Sequence, residues 1–280
     1  MKKLSAAFDG LKFSEGTMRY AIRMAADDNA LLTGVFLESF LYHSFHLFDM
    51  VGSQGVSKVK LKHLLEKDKE TRLNAASRFQ EQCRQIEVEC TIHHDKIFAL
   101  DDLIKESIYS DLMLIGAHET VSNIAETPPT TFVCDFLAEA QCPVMVVPRK
   151  YTDIQKVILL YDGSPSSVFA VKMFNYLLPF LRERETEVVY VSQDETHKEL
   201  PEKQLIREFI RCHYPKADYK ILVGNPEDEI ISYLKKAELN TMVVMGAYQR
   251  GVVSRWFKSS MANKLMQEEL SIPLFIAHYR

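Results

Sequence analysis

Short apolar runs alternate with amphipathic stretches along the whole chain. Because a strand of a parallel sheet is buried on both faces, such runs predict parallel strands joined by crossover helices. The first series of predicted strands covers about 3–8, 31–37, 87–92, 111–116 and 143–147. The second series covers about 156–161, 186–191, 218–223, 241–246 and 273–277. The pattern therefore predicts an α/β fold built from two successive parallel sheets.

The two series of strands are copies of one module. The first strands read KLSAAFDG at 3–10 and KVILLYDG at 156–163, and the fourth strands read LMLIGA at 112–117 and MVVMGA at 242–247. A repeat of this length indicates two domains, 1–148 and 154–280. The polar linker between them is so short that the modules should be in contact. Their fifth strands are apolar on both faces, so they are expected to pair as an internal pseudo-dimer that leaves neither edge exposed.

The first module carries a long insertion at about 38–85. Its second half, Ser57 to Gln85, is predicted to be a helix with a solvated outer face. The predicted apolar stripe of this helix consists of Val59, Leu61, Leu64, Leu65, Leu73, Ala76 and Phe79. The preceding segment, 40–48, carries Phe40, Tyr42, Phe45 and Phe48. These aromatic residues either pack under the long helix or form an exposed surface for a ligand or a partner.

Composition and charge exclude several classes of function. The 280 residues carry a net charge of -4, which gives no reason to expect binding to nucleic acid or to a membrane surface. No apolar run approaches the length of a membrane span, and the chain is expected to be cytoplasmic. The five cysteines have no Cys-x2-Cys spacing, and His43 and His46 lack nearby carboxylates or thiols. We therefore expect no metal site and no disulfide framework.

Candidate site residues lie where the predicted strands end. Asp9 and Asp162 close the first strands, and Gly116 and Gly246 close the fourth strands. In an open parallel sheet the ligand crevice lies at the carboxyl ends of the strands. Each aspartate can accept a hydrogen bond from an adenine amino group or a ribose hydroxyl. Alternatively, it only caps the turn into the following helix.

Several of these motifs together resemble the universal stress protein family. They are Phe8-Asp9-Gly10, Tyr161-Asp162-Gly163-Ser164, Val223-Gly224-Asn225-Pro226, Met245-Gly246 and Ser259-Ser260-Met261-Ala262, followed by the final Pro-apolar strands. The resemblance covers both halves, so it implies a tandem member. It implies two Rossmann-like open five-stranded sheets of order 3-2-1-4-5, flanked by helices and paired through their fifth strands. It further implies adenine-nucleotide binding and a role in stress tolerance rather than a metabolic reaction.

The phosphate loop of ATP-binding members, Gly-x2-Gly-x9-Gly-Ser/Thr, is altered in both modules. The second module keeps Gly246 and Ser260 but has Gln249 and Ser259 at the second and third glycines. The first module keeps Gly116 and has Glu119, Pro129 and Thr130 at the later positions. The charge of Glu119 and the missing amides of Pro128-Pro129 predict that the first module rejects a triphosphate. Arg250 and Lys258 favour phosphate in the second.

ATP or another adenine nucleotide is therefore the candidate ligand. The implied binding residues of the second module are Asp162, Gly163, Val189, Met245, Gly246, Gln249, Ser259, Ser260 and Met261, with Asp9, Gly116 and Thr130 as weaker candidates in the first. A homo-oligomer is compatible with the resemblance. The alternative function is a scaffold for protein contacts that binds no nucleotide and uses the aromatic segment. Neither Asp-Gly turn supplies the Ser-Gly-Gly-x-Asp-Ser loop of ATP pyrophosphatases, so no enzyme is expected.

Overall fold

The computed structural model describes residues 1–38, 51–52, 55–56, 58–94, 99–122, 125–194, 196, 199–247, 261–268 and 270–278. In chain order its strands are β1 (Lys3–Asp9), β2 (Leu31–Leu37), β3 (Val51–Gly52), β4 (Gly55–Val56), β5 (Cys90–His94), β6 (Leu112–Gly116), β7 (Val144–Val147), β8 (Lys156–Leu160), β9 (Glu185–Ser192), β10 (Asp218–Val223), β11 (Thr241–Ala247) and β12 (Leu274–His278). Strands β3 and β4 form a separate antiparallel pair.

The other strands described form one ten-stranded sheet in the order β10-β9-β8-β11-β12-β7-β6-β1-β2-β5. Each module contributes five strands in the order 3-2-1-4-5, and all neighbours within a module are parallel. The modules join where β12 pairs antiparallel with β7, with Leu274 opposite Val146 and Phe275 opposite Met145. The predicted fold class and the pairing of the fifth strands are confirmed, but the two predicted sheets form one continuous sheet. This pairing satisfies backbone groups that would otherwise form two exposed sheet edges.

Helices cover both faces of the sheet. They are α1 (Glu15–Asp28), α2 (Lys58–Gln85), α3 (Ala99–Ile108), α4 (Thr131–Glu139), α5 (Pro165–Leu177), α6 (Lys203–His213), α7 (Pro226–Leu234) and α8 (Met261–Gln267), with a short 3-10 turn at Pro179–Leu181. Helices α1, α2, α5 and α6 pack with one set of strand side chains, and α3, α4, α7 and α8 pack with the other. Each of the two core layers extends through both modules, so they share their cores as well as their sheet.

The long helix predicted within the insertion is confirmed, because α2 runs from Lys58 to Gln85. Its predicted apolar stripe was partly wrong. Leu65 and Leu73 are 41% and 51% exposed. The predicted members Ala76 and Phe79 are buried, and the buried face also includes Asp68, Ala75 and Cys83 at helical spacing. A search for apolar residues alone finds only part of this face, because it omits the buried aspartate.

Strand β5 begins at Cys90, three residues later than the predicted start at 87. The chain leaves α2 through Glu87, whose φ is +59°, and the Val88 amide donates back to the Cys83 carbonyl. Val88 is therefore buried as part of a helix cap and not as part of a strand. The aromatic segment 40–48 lies outside the described residues. No helix in the described ranges has both the length and the apolar character needed to cross a membrane.

Candidate functional site

In each module the carboxyl ends of the first and fourth strands lie side by side, and the place between them is the expected ligand crevice of that module. One wall is the turn from the first strand into the following helix, which contains Asp9 in the first module and Asp162 in the second. The other wall is the end of the fourth strand, at Gly116 or Gly246. The structure thus brings the predicted aspartate and glycine of each module to one place, where α/β sheets bind ligands.

The second crevice depends on a close approach between β11 and the first turn of α5. A Cβ atom built on Gly246 would lie 2.5 Å from the carbonyl carbon of Ser166, so a larger residue cannot occupy this position without movement of the backbone. The turn before α5 uses Gly163 in the left-handed region, with φ of +82°. The Ser164 side chain caps α5 by accepting from the Ser167 amide. These local interactions fix the position of Asp162 relative to Gly246.

Asp162 is exposed and charged. Its Oδ1 accepts a hydrogen bond from the Ser164 amide at 2.9 Å. Burial raises the pKa of this carboxyl, but hydrogen bonds from Ser164 and Ser167 outweigh burial and hold the pKa below its ordinary value. The residue therefore shapes the turn and also presents a negatively charged acceptor to solvent. This geometry is compatible with both roles considered for the aspartate, which are accepting a hydrogen bond from a nucleotide and capping the turn into the helix.

The first crevice has a different environment around its aspartate. Asp9 is only 1% exposed, and its Oδ1 accepts hydrogen bonds from the amides of Leu11 and Lys12 at 2.8 and 3.2 Å. The Asp9 amide donates to Oε2 of Glu119 at 3.3 Å. A carboxylate oxygen of the chain itself therefore lies against the turn that a ligand would approach.

Glu119 fills the space between the two walls of the first crevice. Its residue is 6% exposed, and its Oε1 would lie 3.2 Å from a Cβ atom built on Gly116. The pKa of this carboxyl is raised to about 8, because burial and, second, the charge of Asp9 raise it more than the Asp9 amide, Lys12 and Arg149 lower it. Glu119 is thus mainly neutral at pH 7. From the sequence, the charge of Glu119 is expected to repel phosphate. This expectation is corrected, because the largely neutral side chain obstructs the crevice chiefly by occupying it.

Two further contacts close the first crevice, and sequence reasoning missed both. The turn between Asp9 and the cap residue Ser14 is three residues longer than that between Asp162 and Ser164. Within this extra length, Lys12 Nζ donates to the Ser122 carbonyl at 2.9 Å and so joins the two loops that flank the crevice. Thr130 is fully buried; its hydroxyl donates to the Glu119 carbonyl and accepts from the Val133 amide. The unequal lengths of the two Asp-to-Ser turns were the feature of the sequence that could have indicated a difference between the crevices.

The remaining predicted site residues occupy several environments. Val189 and Met245 are buried at 2% and 6% exposure in the layer that contains α8, and Met261 begins α8 and is partly exposed. Gln249, Arg250, Lys258, Ser259 and Ser260 lie outside the described residues. Among the residues that are described, no three His, Cys, Asp or Glu side chains form a group that could hold a metal ion.

Similarity to known proteins is found by comparing structures and not by comparing sequences. No family model and no curated protein matches the sequence. A universal stress protein from Archaeoglobus fulgidus matches with a TM-score of 0.68 and 13% identity, over 99% of this chain and 98% of that one. A Pseudomonas aeruginosa protein of unknown function matches with a TM-score of 0.63 and 11% identity, over 99% of this chain and 92% of that one.

A third similar structure is the cytoplasmic domain of a prokaryotic cation chloride cotransporter. It matches with a TM-score of 0.51 and 8% identity, over 98% of this chain and 94% of that one. The match to the Archaeoglobus protein extends over nearly the whole length of both chains, so it includes both modules and the way they are joined. The chain therefore has the fold of a tandem universal stress protein, as the resemblance of its motifs implied.

Proposed function

We propose that this chain is a tandem universal stress protein whose second crevice binds an adenine nucleotide, while its first crevice is closed by its own side chains. The observation that carries the proposal is the contrast between the two aspartates. Asp162 is exposed and ionised beside Gly246, whereas Asp9 is buried beside Glu119. A charged acceptor at the carboxyl end of a strand suits the amino group of adenine or the hydroxyls of ribose.

The role we propose is binding in a stress response and not catalysis. The described part of the second crevice offers one carboxylate, a closely approaching glycine and the capped first turn of α5. Such groups orient a ligand, and they do not supply a pair of acid and base groups for a reaction. The amino end of a helix favours an anionic ligand, which suits the phosphates of a nucleotide.

The proposal is tested by titrating ATP into the full chain and into two matched variants. Asp162→Asn keeps an oxygen that can accept from the Ser164 amide but removes the charge, and Asp9→Asn makes the same change in the closed crevice. A hydrogen bond to a charged group is worth about 1.5–3 kcal/mol, so Asp162→Asn should weaken binding roughly tenfold or more. Asp9→Asn should leave the affinity unchanged.

Two results would contradict the proposal. If the wild-type chain shows no binding at millimolar ATP, the scaffold function becomes the better explanation. If Asp9→Asn weakens binding as much as Asp162→Asn, the nucleotide does not distinguish the crevices in the way the geometry requires. Circular dichroism of each variant checks that the sheet and helices remain folded.

A further inference from the structure

The end of α2 and the start of β5 bring two cysteines together. The chain turns back at Glu87, whose φ is +59°, and the Val88 amide donates to the Cys83 carbonyl at 2.9 Å. A turn closed in this way is a compact and well-defined end of a helix. It directs the chain back along the last turn of α2, so Cys90, the first residue of β5, returns to the neighbourhood of Cys83.

The side chain of Cys90 faces the layer that contains α2. Because successive residues of a strand point to opposite faces of a sheet, Cys90 and Ile92 share one face. Both pack against the core cluster that includes Phe79 and Cys83 of α2. Within this cluster the two thiols are hydrogen-bonded to each other. The pair therefore meets the first requirement for a disulfide, which is contact between the two side chains.

The two thiols differ in their access to solvent. Cys83 is fully buried, whereas Cys90 is partly exposed, because β5 is an edge strand that pairs only with β2 among the described strands. Burial and, second, the charge of a Cys90 thiolate raise the pKa of the Cys83 thiol, so Cys83 keeps its proton and can donate it to the Cys90 sulfur. A small solute thus reaches Cys90 first, and Cys83 reacts only with a group already formed on Cys90.

We propose that Cys83 and Cys90 are a redox-active pair that a small peroxide converts to a disulfide. In the first step the Cys90 sulfur attacks one oxygen of hydrogen peroxide; an S–O bond forms, the O–O bond breaks and water leaves. In the second step the Cys83 sulfur attacks the sulfur of the Cys90 sulfenic acid. The S–S bond forms, the S–O bond breaks, and the Cys83 proton leaves with the hydroxide as a second water. The two thiols together lose two electrons, and the peroxide gains them.

The disulfide joins α2, the helix of the insertion, covalently to the edge strand β5. Helix α2 also contacts the turn of the first crevice, where Arg72 Cγ would lie 2.9 Å from a Cβ atom built on Gly10. An edge strand held by one neighbour opens more easily than the centre of a sheet. Oxidation therefore fixes β5 to a helix that reaches the first crevice, and it does so without a change of fold.

The test is peptide mapping of the full chain after brief treatment with hydrogen peroxide and alkylation of the remaining thiols. Trypsin cleaves the unfolded chain after Arg78, Arg84 and Lys96, so the two cysteines fall in adjacent peptides, 79–84 and 85–96. We expect these peptides to be linked and two hydrogen atoms lighter than their sum, and dithiothreitol should release both. Cys212→Ser is the matched control, because Cys212 is exposed on α6 of the other module. It should leave the amount of linked peptide unchanged.

Two variants separate the two chemical steps. Cys90→Ser should give no linked peptide and should leave Cys83 reduced, because burial keeps peroxide away from Cys83. Cys83→Ala should stop at the sulfenic acid of Cys90, which dimedone traps. A tethered thiol acts at an effective concentration in the millimolar range or above, so with dimedone at about a tenth of that, labelling of Cys90 should rise roughly tenfold in Cys83→Ala.

Three results would overturn the proposal. They are the absence of the linked peptide from peroxide-treated wild type, equal dimedone labelling of Cys90 in wild type and Cys83→Ala, and oxidation of Cys83 in Cys90→Ser at the wild-type rate. Circular dichroism checks that each variant is folded. Cys90→Ser changes a partly exposed side chain and should keep the fold, so the linked peptide of wild type and its loss in Cys90→Ser remain decisive even if Cys83→Ala misfolds.

Discussion

The buried carboxyl of Glu119 makes the stability of the protein depend on pH. Its pKa is raised from an ordinary value of 4.5 to about 8 in the folded state, by burial first and by the charge of Asp9 second. Between these two values the unfolded chain loses the proton while the folded chain keeps it. The stability that this proton provides is therefore fully present below pH 4.5 and is lost as the pH rises towards 8.

The magnitude follows from the width of that range. Each pH unit changes the free energy of unfolding by about 1.4 kcal/mol for one proton, so the interval from pH 5 to pH 8 corresponds to roughly 4 kcal/mol. Glu119→Gln has nearly the same shape and no proton to lose. As the pH rises from 5 to 8, the free energy of unfolding of Glu119→Gln should therefore increase by roughly 4 kcal/mol relative to that of wild type.

The assay is urea unfolding followed by circular dichroism at several pH values between 5 and 8.5. Using the difference between the two proteins removes the contributions of titrating groups that do not interact with Glu119. Glu139→Gln is the control, because Glu139 is an exposed residue near the end of α4 in the same module. Its pH profile should run parallel to wild type. Parallel profiles for Glu119→Gln and wild type would refute the burial of Glu119 beside Asp9.

Four substitutions test the packing and the local geometry. On α2, Phe79→Ala should cost about 3–5 kcal/mol of unfolding free energy because Phe79 is fully buried, whereas Leu73→Ala at 51% exposure should cost far less; urea unfolding measures both. Gly246→Ala should cost about 1–3 kcal/mol and weaken ATP binding, because the new methyl group meets the backbone of Ser166. Ser164→Ala should lower stability by about 1 kcal/mol by removing the cap of α5, and an unchanged melting temperature would contradict that role.

The sequence alone determined the architecture of this protein. Apolar runs long enough for a strand and too short for a helix, repeated at matched intervals, located the strands of the large sheet to within about three residues. The pairing of Val144–Val147 with Leu274–His278 also followed from the sequence. Both strands are apolar on both faces, and either of them would leave an exposed apolar sheet edge if it had no partner strand. Burial patterns of this kind are local along the chain, so the sequence displays them directly.

Only the tertiary structure decided how the two crevices differ. The sequence placed Glu119 at a loop glycine and indicated repulsion of phosphate, but the side chain is buried against the Asp9 amide and largely neutral at pH 7. Neither the Lys12 contact with Ser122 nor the burial of Asp68 on α2 follows from local pattern. A residue's charge, exposure and partners depend on which distant segments fold against it. The sequence lists ionisable groups, and the solvent and neighbours that set their protonation are fixed only when the chain has folded.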